Sequence, residues 1–217
     1  MNKVNYQKEL DKLLDGPERE QRHVPALFLH SCCAPCSSYV LEYLCKYFRI
    51  TVFYYNPNIS FAEEYQKRVE EQKRLIAAYN AEAKCYPIEV VEGDYEPELF
   101  FRLAKGLEDC PEGGERCFRC YEMRLRETAA RAKEGGFDYF CTTLSISPLK
   151  NAEKLNEIGK RLAEEYSVPW LPSDFKKKDG YKRSVELSAE YDLYRQNYCG
   201  CVYSRLQREG TPEGTNV

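Results

Sequence analysis

The sequence predicts a parallel, doubly wound α/β sheet of about five strands with a helical and irregular C-terminal extension. Two observations carry that prediction. Short apolar, β-branched runs alternate along the chain with stretches at helical spacing, the pattern of strands joined by crossover helices. The first run, Ala26 to Leu29, ends in His30-Ser31-Cys32-Cys33-Ala34-Pro35-Cys36-Ser37-Ser38. In an open α/β sheet, such a turn from the first strand into a helix lies at the carboxyl edge, where ligands bind.

The chain has 217 residues, 43% hydrophobic and 31% charged, as in a globular protein with one sizeable core. No apolar run approaches the length of a membrane span, and the polar stretch Met1 to Arg22 carries no signal-peptide core. The expectation is a cytosolic protein without a membrane partner. Cytosolic thiols are kept reduced, so structural disulfides are not expected. The eleven cysteines are an odd number and cannot all pair internally, which leaves metal or redox chemistry as the leading explanation. A net charge of −3 argues against a general nucleic-acid coat while leaving room for one basic face.

In chain order, Val4 to Leu14 reads as a short amphipathic helix closed by Gly16-Pro17, and Glu18 to Arg22 as a charged linker. After the first strand, Ser37 and Ser38 are the expected N-caps of a helix over Tyr39 to Leu44. Ile50 to Tyr55 is β-branched and aromatic, a second buried strand. Glu63 to Tyr79 is a helix, with Phe61, Tyr65, Val69, Ile76 and Tyr79 on a core-facing stripe. Tyr86 to Val91 is a third strand, and Pro97 starts a helix to Ala104. A Gly-rich acidic loop, Lys105 to Arg116, then delivers Cys117-Phe118-Arg119-Cys120 to a helix closed by Gly135-Gly136. Leu125, Ala129 and Ala132 mark the buried side of that helix. Phe137 to Thr143 is a fourth strand, Asn151 opens a helix buried through Leu155, Ile158 and Leu162, and Val168 to Leu171 is a short fifth strand. The expected divisions are an N-terminal helix and linker over 1–22, the sheet core with its cysteine loops over 23–172, an extension over 173–208 and a disordered tail over 209–217.

Cys117 and Cys120 sit three apart at a helix start, so both sulfurs project to one side. With Cys32 and Cys33 from the first loop they can close a four-thiolate site. By ligand count it suits tetrahedral zinc and a 4Fe–4S cluster equally. The adjacent Cys32-Cys33 pair diverges, which favours the larger cluster, or a cluster beside a second metal. Cys199-Gly200-Cys201 encloses a very small ring and reads as a redox couple, with further metal ligands or idle thiols as the alternatives. Cys45, Cys85, Cys110 and Cys141 read as bystanders, Cys45 and Cys141 in the core. Thr142 to Ser147, rich in hydroxyls, and Lys150 either hold a phosphate at the next helix start or leave Ser and Asn there merely to cap and turn. Lys176, Lys177, Lys178, Lys182 and Arg183 beside Tyr181 form a basic run that either contacts an RNA backbone or is a solvated loop.

Four stretches together resemble the QueH family of cobalamin-independent epoxyqueuosine reductases: His30 to Ser37, Cys117 to Leu125, Thr142 to Asn151 and Tyr194 to Ser204. They occur in order over about Pro25 to Leu206. The resemblance implies a Rossmann-like fold of the nucleotide-hydrolase type. It also implies the last step of queuosine synthesis, in which the epoxide of epoxyqueuosine at the tRNA wobble position becomes an alkene. In that family pattern Cys32, Cys33, Cys117 and Cys120 hold a 4Fe–4S cluster, and Cys199 with Cys201 forms a redox-active disulfide. Cys36 is placed to help hold an additional mononuclear iron. The implied partners are tRNA carrying epoxyqueuosine and an electron donor that the sequence does not identify. The relatives' Ser-Gly-Gly-x-Asp-Ser phosphate loop is replaced by Ser31 to Cys36, which disfavours ATP use. Two other readings stay open: an ATP-dependent tRNA sulfur transferase and a zinc-stapled RNA-binding module.

Overall fold

The computed structural model describes residues 4–16 and 24–209. The expected linker over Glu18 to Arg22 and the tail from Thr211 to Val217 lie outside them. The chain runs α1 (Tyr6–Leu14), β1 (Ala26–Ser31), α2 (Ala34–Leu44), β2 (Arg49–Tyr54), α3 (Ala62–Glu82) and β3 (Glu89–Glu92). It continues through α4 (Pro97–Ala104), α5 (Glu115–Glu134), β4 (Tyr139–Thr142), a 3-10 turn (Thr143–Ile146), α6 (Ala152–Tyr166), α7 (Gly180–Glu190) and α8 (Val202–Glu209). No described helix is long and apolar enough to cross a membrane.

All strand pairs are parallel, in the order β3-β2-β1-β4. Inner strands of a parallel sheet flanked by helices are buried on both faces and read as unbroken apolar runs. β1 is buried from Leu27 onward and β2 from Ile50 onward. β3 is the edge, and its mostly exposed Glu89-Val90-Val91-Glu92 carries a carboxylate at each end, a charge pattern that discourages further strand pairing. From β1 the chain builds outward through β2 to β3, then returns to place β4 on the other side of β1. That reversal opens a crevice at the carboxyl ends of β1 and β4, where open α/β sheets bind ligands.

The expected fifth strand is reduced to one parallel bridge, Phe140 with Trp170. Pro169 lacks an N–H and Pro172 follows two residues after Trp170, so the ladder cannot continue. α2 begins at Ala34, with Cys33 in the N-cap position and Pro35 in the first turn. Ser37 and Ser38 are therefore inside the helix, and their hydroxyls donate back to the carbonyls of Cys33 and Pro35 at 2.9 Å each. Pro35, whose fixed φ suits a first turn, moves the start forward. Phe61, expected on the core stripe, precedes α3 and is 40% exposed. The structure also bonds Cys45 to Cys85, 40 residues apart, where no structural disulfide is expected. α2 and α3 pack together, which brings the end of one beside the residues that follow the other.

Gly159, in the middle of α6, lies against the indole of Trp170, and a Cβ there would come within 2.2 Å of the ring. Trp170 is itself held by its Nε1–H, which donates to Asn156 Oδ1 at 3.0 Å. Gly159→Ala gains about 1 kcal/mol of helix propensity. Overpacking a fixed ring costs about 1–3 kcal/mol, so crowding wins. The variant is expected to unfold at lower urea concentration than the wild type, followed by Trp170 fluorescence; an unchanged or higher midpoint would contradict this packing.

Candidate active site

Cys32, Cys33 and Cys36 come from the end of β1 and the first turn of α2. Among the described residues they form the one set of three or more metal-type ligands whose donor atoms all lie within 4.8 Å of one another. The Cys32 and Cys33 sulfurs are 3.9 Å apart, and Cys32 Sγ lies 3.6 Å from Thr143 Oγ1, across the crevice between β1 and β4. Hydrogen bonds from the Cys33 and Cys36 thiols hold Cys32 well below the ordinary thiol range. Through the same contacts Cys33 is pushed up to about 12 and Cys36 is raised. One sulfur of the three is thus poised as thiolate, the form that binds metals.

The loop is fixed by buried polar bonds. Ser31 Oγ donates to Gln72 Oε1 on α3 at 2.7 Å. His30, fully buried, is bonded at both ring nitrogens, to Thr142 Oγ1 at 2.8 Å and to the Tyr55 carbonyl at 3.1 Å. Burial, helped by the Arg124 charge, depresses it to about 3, so the imidazole is neutral. Asn56 Nδ2 donates to the Ser31 carbonyl at 2.8 Å and Asn56 Oδ1 accepts from Arg124 at 3.2 Å.

Cys117 and Cys120, at the head of α5, are buried and line a narrow cavity together with Cys199, Cys201, Lys150 and Arg124. Burial raises both α5 thiols. Cys199 and Cys201 stand 3.5 Å apart as free thiols. Gly200 between them has φ +111°, where side chains are strained, and a Cβ would meet Ile59 at 2.8 Å, so this turn requires glycine. The loop is clamped by its backbone. Asn58 Nδ2 and Arg68 donate to the Cys199 carbonyl at 3.3 and 3.2 Å, and the Ser60 N–H donates to the Gly200 carbonyl at 3.0 Å. The Cys201 thiol bonds Cys199 and, with the Lys150 ammonium, lowers it well below the ordinary range despite burial. Cys201 is raised in return.

The four thiols proposed to share one centre thus fall in two groups, Cys32 and Cys33 with Cys36, and Cys117 and Cys120 with the Cys199/Cys201 pair. Arg124 acts on both: burial works against its charge, but the negative forms of Cys120, Cys32 and Cys199 hold it. Lys150, expected to meet phosphate, is 8% exposed, and its ammonium bonds Glu112 Oε1 at 2.9 Å inside the cysteine cavity. In the basic run Lys176 pairs with Asp174 at 2.5 Å, Lys178 with Asp11 at 2.6 Å and Arg183 with Glu42 at 2.6 Å. Lys176 and Arg183 are half-buried in these pairs, whereas Lys177, Lys178 and Lys182 are exposed. Cys141 is buried and Cys110 half-buried, both as free thiols. The residues not singled out from sequence are Arg68, Arg124, Glu112, Asn56 and Asn58. For Arg124 a signal existed, since it stands four residues after Cys120 and one before Leu125, on the buried face of α5.

A family model described as epoxyqueuosine reductase QueH matches residues 27–207. An epoxyqueuosine reductase QueH of Streptococcus pyogenes is 44% identical over 202 residues, covering 93% of this chain and 78% of the relative. One from Staphylococcus epidermidis is 43% identical, covering 95% of this chain and 87% of the relative. One from Thermotoga maritima is 37% identical, covering 84% of this chain and 91% of the relative.

Cys199 is half-buried and activated, whereas Cys201 is buried and raised. In reduced, metal-free protein, limiting iodoacetamide at neutral pH is expected to alkylate Cys199 before Cys201. Lys150→Met should slow that labelling several-fold by removing the adjacent cation. Peptide mapping reads both; equal labelling of the two sulfurs would show that Cys199 is not the activated one.

Proposed function

As the chain belongs to the epoxyqueuosine reductase QueH family and is an oxidoreductase, we propose that it reduces the epoxide of epoxyqueuosine in tRNA to the alkene of queuosine, with an external electron donor. The single observation that carries this reading is the placement of two cysteine groups, Cys32, Cys33 and Cys36 at the end of β1 and Cys117 and Cys120 with the Cys199/Cys201 pair around one cavity, with the buried Arg124 acting on both.

Side chains alone do not supply low-potential electrons, so the reaction needs an inorganic or organic cofactor. The donor set fits iron and sulfide: Cys32, Cys33 and Cys36 meet with no carboxylate or imidazole among them, and thiolates select thiophilic centres. In this proposal Cys32, Cys33, Cys117 and Cys120 hold a 4Fe–4S cluster, and Cys36 contributes to an adjacent mononuclear iron. When bound, that centre supplies electrons at low potential. The chain's own part follows from its charges. Arg124 and Lys150 offset the negative charge of thiolates in a buried place, where an uncompensated charge costs several kcal/mol, of order 3–5. Neutral His30 adds no charge while holding β1 to β4 and to the loop after β2.

The Cys199/Cys201 dithiol suits the role of electron reservoir. Closing the disulfide from one thiolate and one thiol breaks one S–H bond and releases two electrons and one proton, the other proton having left when Cys199 ionised, so the dithiol gives up two electrons and two protons in all. Converting an epoxide to an alkene and water consumes the same two electrons and two protons. The opposed shifts of Cys199 and Cys201 give the pair one thiolate and one thiol, the state from which exchange with an external dithiol proceeds.

Protein reconstituted anaerobically with iron and sulfide, given a chemical reductant and tRNA bearing the epoxide, is expected to yield a nucleoside lighter by one oxygen atom in mass spectrometry. Protein that holds zinc and no iron, or a product that has gained sulfur, would overturn the reading. The double variant Cys199→Ser/Cys201→Ser, pre-reduced, is expected to complete about one turnover and then stall with a dithiol as the electron source; sustained turnover would remove the pair from the reaction.

A further inference from the structure

Buried polar atoms in folded proteins are nearly always hydrogen-bonded, and each exception needs a reason. Among the described residues, three such exceptions belong to side chains lining the cysteine cavity: the Tyr121 hydroxyl, Asn58 Oδ1 and Arg116 Nε. Two of these side chains are otherwise occupied. Asn58 clamps the Cys199 carbonyl through its nitrogen, and Arg116 donates to the carbonyls of Leu107 and Glu108 at 2.8 Å each. Tyr121 has one polar atom, and nothing in the fold uses it.

Its position is specific. Tyr121 is 1% exposed and follows Cys120 on α5, and Cys117, Cys120, Cys199, Cys201 and Lys150 line the same cavity. A tyrosine hydroxyl carries its proton at neutral pH and is able to donate it. Lys150, a cation of the same cavity lining, bonds Glu112 and leaves the Tyr121 hydroxyl without a partner. A donor held without an acceptor in a reductase cavity implies an acceptor that arrives with the substrate.

We propose that Tyr121 is a catalytic residue that gives its hydroxyl proton to the oxygen leaving the epoxide. This rests on the reductase reading above. The two electrons supplied by the reductase reaction break the first C–O bond and leave the oxygen as an alkoxide. The Tyr121 O–H bond breaks and its proton passes to that oxygen. Loss of the second C–O bond forms the alkene and expels hydroxide, which takes a proton from solvent and leaves as water. The phenolate, beside Lys150, recovers its proton from solvent. Two electrons and two protons are consumed in all.

The test is Tyr121→Phe, which keeps the ring and removes only the hydroxyl without a partner. Reconstituted wild-type and variant proteins are compared for melting temperature, iron content, kcat, KM for tRNA and affinity for tRNA bearing either the epoxide or the alkene. The expected variant melts no lower, holds the same iron, keeps its KM and loses kcat by about a hundredfold, the scale of general-acid catalysis. Its preference for epoxide tRNA over alkene tRNA should shrink by about fivefold, the scale of one hydrogen bond. An unchanged kcat with active wild-type protein would overturn the assignment while leaving the reductase reading intact. Loss of activity together with iron or melting temperature would overturn it in favour of a structural role. A wild-type protein that leaves the epoxide untouched would remove the reductase reading, and this assignment with it.

Discussion

Asn56 bonds to both sides of the site. Its amide nitrogen reaches the carbonyl of Ser31, at the end of β1, and its oxygen receives a hydrogen bond from Arg124, on the helix headed by Cys117 and Cys120. Arg124 is 3% exposed, and a buried guanidinium is tolerated only where its donors and charge are met. Cys32 and Cys199, both held toward the thiolate form, meet the charge, while Asn56 Oδ1 and the Cys120 carbonyl take its hydrogen bonds. The cysteine loop after β1, the α5 cysteines and the C-terminal pair are therefore coupled through one cation. Moving any of them alters the environment of the rest.

The same reasoning explains why the cavity carries cations and no neighbouring imidazolium. His30 is close enough to feel Arg124, which depresses its pKa further, to about 3. It acts as a neutral tie across the sheet, so the positive charge near the sulfurs comes from groups that keep it at every working pH. Lys150 is the second of these, held by Cys199 and Glu112 against the cost of burial. Glu112 in turn accepts from Ser204 at 3.2 Å, and Ser204 donates its backbone N–H to Cys201 Sγ at 3.3 Å. The acidic loop before α5 thus fixes both the cation and the residue after the sulfur pair.

Much of the sheet was legible because burial on both faces leaves a plain signature: Leu27 to Leu29 and Ile50 to Tyr54 could hardly be anything but inner strands. Where the reading went astray, a local rule competed with a tertiary one. Pro35 outweighed Ser37 and Ser38 as the marker of a helix start, and Pro169 stopped a strand that hydrophobicity alone would allow. The cysteine motifs were legible as chemistry, and the family resemblance gave them a reaction. Their grouping in space was not legible, because Cys36 joins Cys32 and Cys33 only once the helix begins at Ala34. The ion pairs of Lys176, Lys178 and Arg183 were not legible because their partners, Asp174 apart, are remote in sequence: Asp11 and Glu42. Arg68 and Glu64 resemble an ordinary exposed i,i+4 pair until the C-terminal segment folds over them.

That last contact bears on how the turn carrying Cys199 and Cys201 is held. A loop that closes and opens a sulfur–sulfur bond needs mobile sulfurs on an immobile backbone. Arg68 is 2% exposed, bonded to Glu64 at 2.6 Å, and donates to the carbonyls of Tyr198 and Cys199. Asn58 and Ser60 hold the same turn from the loop after β2, and Ser60 Oγ accepts from the N–H of Val202 at 3.0 Å. The anchors at Cys199, Gly200 and Val202 are backbone groups, so the sulfurs of Cys199 and Cys201 move only through their side-chain torsions. Gly200 completes the arrangement, since its positive φ turns the two cysteines toward each other and its missing side chain lets Ile59 and Arg68 approach. The C-terminal segment is thus seated on the core by contacts that leave its reactive atoms free to change.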